Sequence, residues 1–325
     1  MKKHIIKQYE SKYFDEWNAF ISKAKNASFL FHRNFMEYHS DRFQDYSLLI
    51  FEEEKLIAVL PANRVGTTVY SHQGLTYGGL VYEEQTKLAS VIAIFSAILL
   101  FLDQNGIEKM HIKTVPSIYH TKPSEEIQYA LFLADAKLAR RDTLSVIDLL
   151  QENTVAKGRK SSLKKATQND LVIKEESDFE QFWNKILIPN LSERHNAKPV
   201  HTLEEITHLN ELFPGNIIQF NVYHNDVIVA GATVFESTTV THCQYISKFE
   251  TNQTLSSLDF LFNFLVHKRF AKKRFFDFGS SNENQGKKLN EGLTYWKESF
   301  GASTIVHDFY EVETANYYKL DQAAI

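Results

Sequence analysis

Two α+β domains in tandem, each a mostly antiparallel sheet flanked by helices, are what this 325-residue sequence predicts. Three observations carry the prediction: a strand-turn-strand pattern occurs twice, each copy is followed by a long apolar helix and a short apolar strand, and the copies align at a nearly constant offset. The first hairpin is LLIFEEEKLIAVLPANRV (48–65) and the second FNVYHNDVIVAGATVFES (220–237), each alternating around a charged or Asn-Asp turn. Setting Ala58 against Ala230 gives an offset of 172, which also pairs Phe51 with Tyr223, Glu54 with Asp226, Leu56 with Ile228 and Ile57 with Val229. Downstream, Thr67-Thr68-Val69 and Gln73 match Thr238-Thr239-Val240 and Gln244 at an offset of 171, one residue of slip in a loop. The helices that follow are expected over 86–104 and 255–271, and the short strands at KMHIKTV and RFFDFG. Domain boundaries at 1–150 and 151–325 result.

Composition narrows the function classes. Lys and Arg number 36 against 40 Asp and Glu, a net charge of -4, which argues against nucleic-acid binding driven by overall charge. A single cysteine, Cys243, excludes an internal disulfide framework and a multi-cysteine metal site, and fits a reducing compartment such as the cytoplasm. MKKHIIKQYE has no apolar run behind its basic residues and so lacks the form of a secretion signal. The longest apolar stretch, Ala89 to Leu102, is 14 residues, short of the roughly 20 that span a bilayer, and reads as a buried helix.

Several stretches concentrate chemistry. VAKGRKSSLKKA places Lys157, Lys160 and Lys164 at helical spacing with Arg159 beside them, a basic strip suited to phosphate or carboxylate recognition, Arg159 binding a planar anion bidentately. LSERHNAKPVH supplies His195 and His201 from a helix end and loop, Pro199 disfavouring continuation of the helix. His195, His201 and His208 are not spaced for one helix face, so a metal site is not expected. FFDFGSSNENQGKKLNEGLTYWKESFG runs from a strand ending at Asp277, through a loop, into a helix expected over Lys287–Phe300. On that helix Leu289, Leu293, Trp296 and Phe300 form the expected buried stripe, with Asn290 and Lys297 flanking it on one side.

In their order, SFLFHRNFMEYH, LIAVLPANRV, SHQGLTYGGLV, GRKSSLKKA, LSERHNAKPVH, IVAGATVF, HCQYIS, FDFGSS and LNEGLTYWKESFGA resemble the paired GNAT-superfamily domains of the Fem peptidoglycan aminoacyltransferases, over nearly the whole chain. The resemblance implies transfer of an acyl or aminoacyl group to an amine such as an amino sugar or cell-wall precursor, from acyl-coenzyme A or, in the Fem manner, from aminoacyl-tRNA. The loop at the position of the GNAT phosphate-binding turn, FETNQTLSS (249–257), has no glycine, and no heptad repeat of a coiled-coil arm is present. A binding or scaffold protein that keeps the fold without the chemistry is the rival from another class. On the GNAT plan HCQYIS lines the cleft, Gln244 and Tyr245 pointing to opposite faces by strand alternation, with Tyr245 a candidate acid or donor. Cys243 is a poor nucleophile, since nothing local lowers its pKa. Trp296-Lys297 resembles the Fem aromatic-lysine pair, which implies that Lys297 stabilises the tetrahedral intermediate; the first copy has no such pair, so catalysis is assigned to the second. The acceptor is expected in a cleft between the copies, with Tyr77-Gly78-Gly79 on its wall.

Overall fold

The computed structural model describes residues 4–249 and 255–322, the side chains of residues 194 and 195 aside. It divides into two compact units, one running to Asp142 and completed by the C-terminal segment from Val306, the other spanning Thr143–Ile305. The segment from Val306, which the sequence boundaries place in the second domain, therefore packs in the first. It enters through the end of a strand, Ser303–Glu313, whose Phe309 to Glu313 pair antiparallel with Lys109–Lys113.

In the first unit β1 (His4–Gln8), β2 (Leu48–Glu52), β3 (Lys55–Leu60) and β6 (Val81–Tyr82) form one sheet in that order. A second set follows the order β4 (Asn63–Val65), β5 (Thr68–Tyr70), β7 (Lys109–Lys113) and the C-terminal β16 (Ser303–Glu313). Helices α1 (Phe14–Ile21), α2 (Arg33–Met36), α3 (Leu88–Gln104) and α4 (Glu126–Leu133) accompany them, with α11 (Tyr317–Asp321) at the end. The apolar run falls in α3, whose Ile94, Phe95, Ile98 and Leu99 are buried against Leu48, Ile50 and Ala58 of the hairpin and Met110 and Ile112 of β7. No described helix is long and apolar enough to cross a membrane.

The second unit follows the strand order β8 (Lys137–Asp148, from Thr143 on), β13 (Phe275–Ser280), β12 (Val240–Lys248), β11 (Val227–Glu236), β10 (Ile217–His224) and β9 (Leu171–Glu176). A small hairpin, β14 (Asn282–Glu283) with β15 (Lys288–Leu289), follows β13. Its helices are α5 (Lys157–Ala166), α6 (Glu180–Phe182), α7 (Ile188–His195), α8 (Leu203–Leu212), α9 (Ser257–Phe264) and α10 (Glu291–Glu298). One sheet face carries Phe220, Ala232, Val234, Phe276 and Phe278 against Phe262 of α9 and Phe300, just beyond α10.

The repeat extends to the irregularities of the hairpins. In the first, Ile50 pairs with Ala58 but Phe51 with Leu56, so Ile57 is bulged; in the second, Val222 pairs with Ala230 but Tyr223 with Ile228, so Val229 is bulged. Both bulges obey the sequence offset, 222 − 50 and 229 − 57 each giving 172. An inserted residue of this kind fixes register and raises local twist, so the duplication preserved the shape of the hairpin as well as its hydrophobic pattern.

Candidate functional site

The ladder between β12 and β13 is parallel and short. Val240, Thr241 and His242 pair with Phe275, Phe276 and Asp277, and no further rung forms although β12 runs on to Lys248. The strands part at this point, and beyond His242 the β12 edge has no strand partner on the β13 side among the described residues. Both strands are irregular beside the fork. On β12, Val234 pairs with Cys243 and Thr233 with Tyr245, leaving Gln244 bulged; on β13, the pairing with β8 slips between Asp277 and Ser280. Gln244 and Tyr245 therefore do not alternate simply: the bulge turns Cys243 into the α9 core and Tyr245 toward the opposite face, edge-on to Trp183 at 5.1 Å.

Gly279 is the centre of the site. Its φ of +73° is a left-handed conformation that glycine adopts without penalty. Its N–H donates to Asp277 Oδ1 at 2.7 Å, its carbonyl accepts from Lys297 Nζ at 2.9 Å, and a Cβ placed on it would stand 3.2 Å from His242 Cε1. Lys297 is only 3% exposed and donates a second hydrogen bond to the Ser280 carbonyl at 2.8 Å. Burial pushes its pKa down to about 8, the negative charge of Asp277 pulling the other way. Asp277 is fully buried and lies 2.9 Å from His242 Nδ1. The thiol of Cys243 is raised by burial first and by Asp277 second, which keeps it protonated.

The lysine reaches this position because α10 is seated differently from the sequence-derived stripe. The helix begins at Glu291, not Lys287, and Asn290 is its N-cap, its Oδ1 accepting from Leu293 N–H at 3.0 Å. Leu289 belongs to β15 and is 46% exposed, and Leu293 is 40% exposed, so neither forms the buried stripe. The inward face is instead Trp296, Lys297 and Phe300, with Trp296 centred 5.4 Å from Phe262 and 5.8 Å from Phe278. Asn290 Nδ2 also reaches Glu283 at 3.3 Å, so that side chain is engaged in shaping the loop.

The remaining candidates fall into three groups. Tyr245 and His201 meet: the phenol oxygen accepts from His201 N–H at 3.1 Å and lies 2.7 Å from His201 Nδ1. Burial raises this phenol to about 12, with hydrogen bonds from His201 and Gln244 opposing, so it stays neutral. Arg159 and Lys160 line a pocket of about 260 Å³ with Leu163, Asp259, Phe262 and Phe300. Within it Arg159 is committed to Asp259 and, at 2.6 Å, to Ser299, and it lies 4.8 Å over the Phe300 ring, whereas Lys160 is exposed. Tyr77, Gly78 and Gly79 are all buried in the first unit: Tyr77 donates to Ser28 at 2.8 Å and Gly78 N–H to the Lys113 carbonyl at 2.9 Å. The His195 side chain and residues 250–254 of the 249–257 loop lie outside the described residues.

The parallel β5–β7 pair of the first unit corresponds to β12–β13, and there the gap is filled. Beyond Tyr70–His111 the loop from Ser71 folds back, Ser71 Oγ accepting from Lys113 N–H and Lys113 Nζ donating to the carbonyls of Gln73 and Leu75. Of the two forks, the second alone keeps an open β12 edge among the described residues.

Solved structures share this overall fold. FemX is similar over 97% of this chain and 99% of its own, with a TM-score of 0.68 and 10% identity. A tandem GNAT protein from the clavulanic acid biosynthesis pathway matches over 96% of this chain and 99% of its own, with a TM-score of 0.52 and 11% identity. This chain has the tandem GNAT, Fem-like fold. A conserved protein of unknown function from Bacteroides thetaiotaomicron shares the GNAT-like architecture over 96% of this chain and 99% of its own, at a TM-score of 0.59 and 12% identity. No protein-family model and no curated protein matches the sequence. His242 is the candidate site residue that sequence reasoning missed; it joins the site only through the last β12–β13 rung, opposite Asp277, which no sequence pattern marks.

Proposed function

We propose that the second unit transfers an acyl or aminoacyl group from an activated ester or thioester to an amine. The observation that carries the reading is the buried Lys297 ammonium at the end of the forked strands. An ammonium has three donors, and two are spent on the Gly279 and Ser280 carbonyls. The third is available to an oxyanion developing beside the open β12 edge, whose backbone N–H groups supply further donors. In a site screened from water such donors stabilise the tetrahedral intermediate without having to reorganise. Tyr245, held by His201, positions the segment before α8 and takes no proton in this scheme.

The donor is read as acyl-coenzyme A or aminoacyl-tRNA, each of which carries phosphate groups as well as an activated carbonyl. One buried polar atom supports a phosphate near α9: Ser257 Oγ, in the helix's first residue, has no hydrogen-bond partner among the described residues. Unpaired backbone N–H groups at a helix start and the helix dipole favour an anion there. Bound there, the group would supply the activated carbonyl, and Lys160, exposed at the rim of the neighbouring pocket, would meet further negative charge. Thermal shift of the full chain against acetyl-coenzyme A, a long-chain acyl-coenzyme A and alanyl-tRNA tests the reading. Stabilisation by one of them supports transfer from that donor, and stabilisation by none favours a binding protein without this chemistry.

A further inference from the structure

His242 and Asp277 are partners in the last rung before the strands part, so their side chains stand side by side on the face opposite Phe276 and Phe278. Asp277 is fully buried and uses both oxygens, Oδ1 for Gly279 N–H and Oδ2 for His242 Nδ1. A carboxylate only accepts, which puts the imidazole hydrogen of a neutral His242 on Nδ1 and leaves the lone pair on Nε2. That second nitrogen has no hydrogen bond among the described residues, and the side chain is 13% exposed. The ring lies against Gly279, whose carbonyl is held by Lys297. A proton acceptor and an ammonium thus converge on one glycine at the fork, from opposite faces of the sheet.

We propose that His242 is the general base of the second unit, with Asp277 as its positioning residue; the assignment rests on the acyl-transfer reading above. The amine lone pair forms the new C–N bond at the donor carbonyl carbon while the carbonyl π electrons move to oxygen. His242 Nε2 takes the proton that the nitrogen sheds. Collapse of the intermediate breaks the bond to the donor oxygen or sulfur, and the imidazolium returns the proton to that leaving group. Each cycle leaves His242 neutral and consumes one donor and one amine. Among the charged groups on the surrounding elements, Asp277 on β13 contacts the ring, Lys297 on α10 holds the Gly279 carbonyl beside it, and Glu236 on β11 is paired with Lys273. Removing Asp277 alters both the tautomer and the support of Gly279, so the two residues require different variants.

The test combines the pH dependence of kcat/KM, measured with acetyl-coenzyme A or alanyl-tRNA and glucosamine as the amine, with nitrogen-15 imidazole spectra of the full chain. His242→Gln is expected to lower kcat/KM by about 10² to 10⁴ and to remove the acid limb of the profile, and added imidazole is expected to restore part of the activity of His242→Ala. Asp277→Asn can keep its carbonyl on Gly279 N–H while turning its amide NH₂ toward Nδ1, so the spectrum is expected to switch His242 to the Nε2–H tautomer as the rate falls. An active His242→Gln protein with the acid limb intact overturns the assignment and leaves the transfer reading standing. A wild type that neither binds nor consumes either donor removes both. Should the variants fail to fold, the wild-type spectrum decides alone, an Nε2–H tautomer overturning the proposal.

Discussion

Replacing Lys297 with methionine separates a catalytic ammonium from a structural one, because the two roles have opposite pH signatures. Burial lowers the lysine from its ordinary 10.5 to about 8, and at 1.36 kcal/mol per pH unit that corresponds to about 3 kcal/mol of stability withheld while the group is charged. Between pH 8 and 10.5 the unfolded chain binds a proton that the folded chain has released, so the lysine's contribution to stability rises with pH across that window. Turnover moves the other way, falling above about pH 8 as the donor is lost. In Lys297→Met two carbonyls lose their partner, at about 1–3 kcal/mol each if left unsatisfied, while the buried charge disappears. These terms offset at pH 7, and the net change there is expected within about 2 kcal/mol. Turnover at pH 7 is expected to fall by about 10² to 10³, the scale for one oxyanion donor. Urea unfolding of both proteins at pH 7, 8, 9 and 10, alongside donor consumption, reads every quantity. A stability difference that stays flat from pH 8 to 10, or near-normal turnover in the variant, would refute the reasoning.

Gly279→Ala is expected to cost about 1–2 kcal/mol for its left-handed backbone and to press on His242 Cε1, so turnover should fall well beyond the stability loss; a fully active variant would remove Gly279 from the site. Tyr245→Phe is expected to lose about 1–2 kcal/mol through the two contacts with His201 and to keep turnover within about threefold, whereas a hundredfold loss would return a chemical role to the phenol. Arg159→Leu strands Asp259 at the packing of α5 on α9 and is expected to destabilise by about 2–4 kcal/mol, measured by chemical denaturation; an unchanged midpoint would show that the pair does not anchor α5.

The duplicated fold was legible because both copies kept their hairpin pattern, down to the positions where Ile57 and Val229 bulge. The inward placement of Lys297 was legible from its angular position beside the stripe that Trp296 and Phe300 form. His242 was not. It lies 35 residues from Asp277, and the two meet through a parallel rung set by the crossover containing α9, which no local pattern announces. Strand alternation misplaced Gln244 and Tyr245 because the bulge on β12 resets the faces. The stripe on α10 failed at Leu289 and Leu293 because the Asn290 cap starts the helix one turn later than hydrophobic spacing suggested. Local chemistry at a chain end overrode periodicity there.

The loop that closes the first fork has a further consequence, in time as well as in space. Gly78 N–H is tied to the Lys113 carbonyl, and the Lys113 ammonium grips the loop from inside, so exposing that fork requires several bonds to break together. The β12 edge needs no such opening event. Backbone deuterium uptake should therefore be slow at Gly78 and fast on the unpaired β12 edge past His242. The repeated unit thus yields two clocks: a copy whose gap opens only with wider unfolding, and a copy whose gap stands open without it.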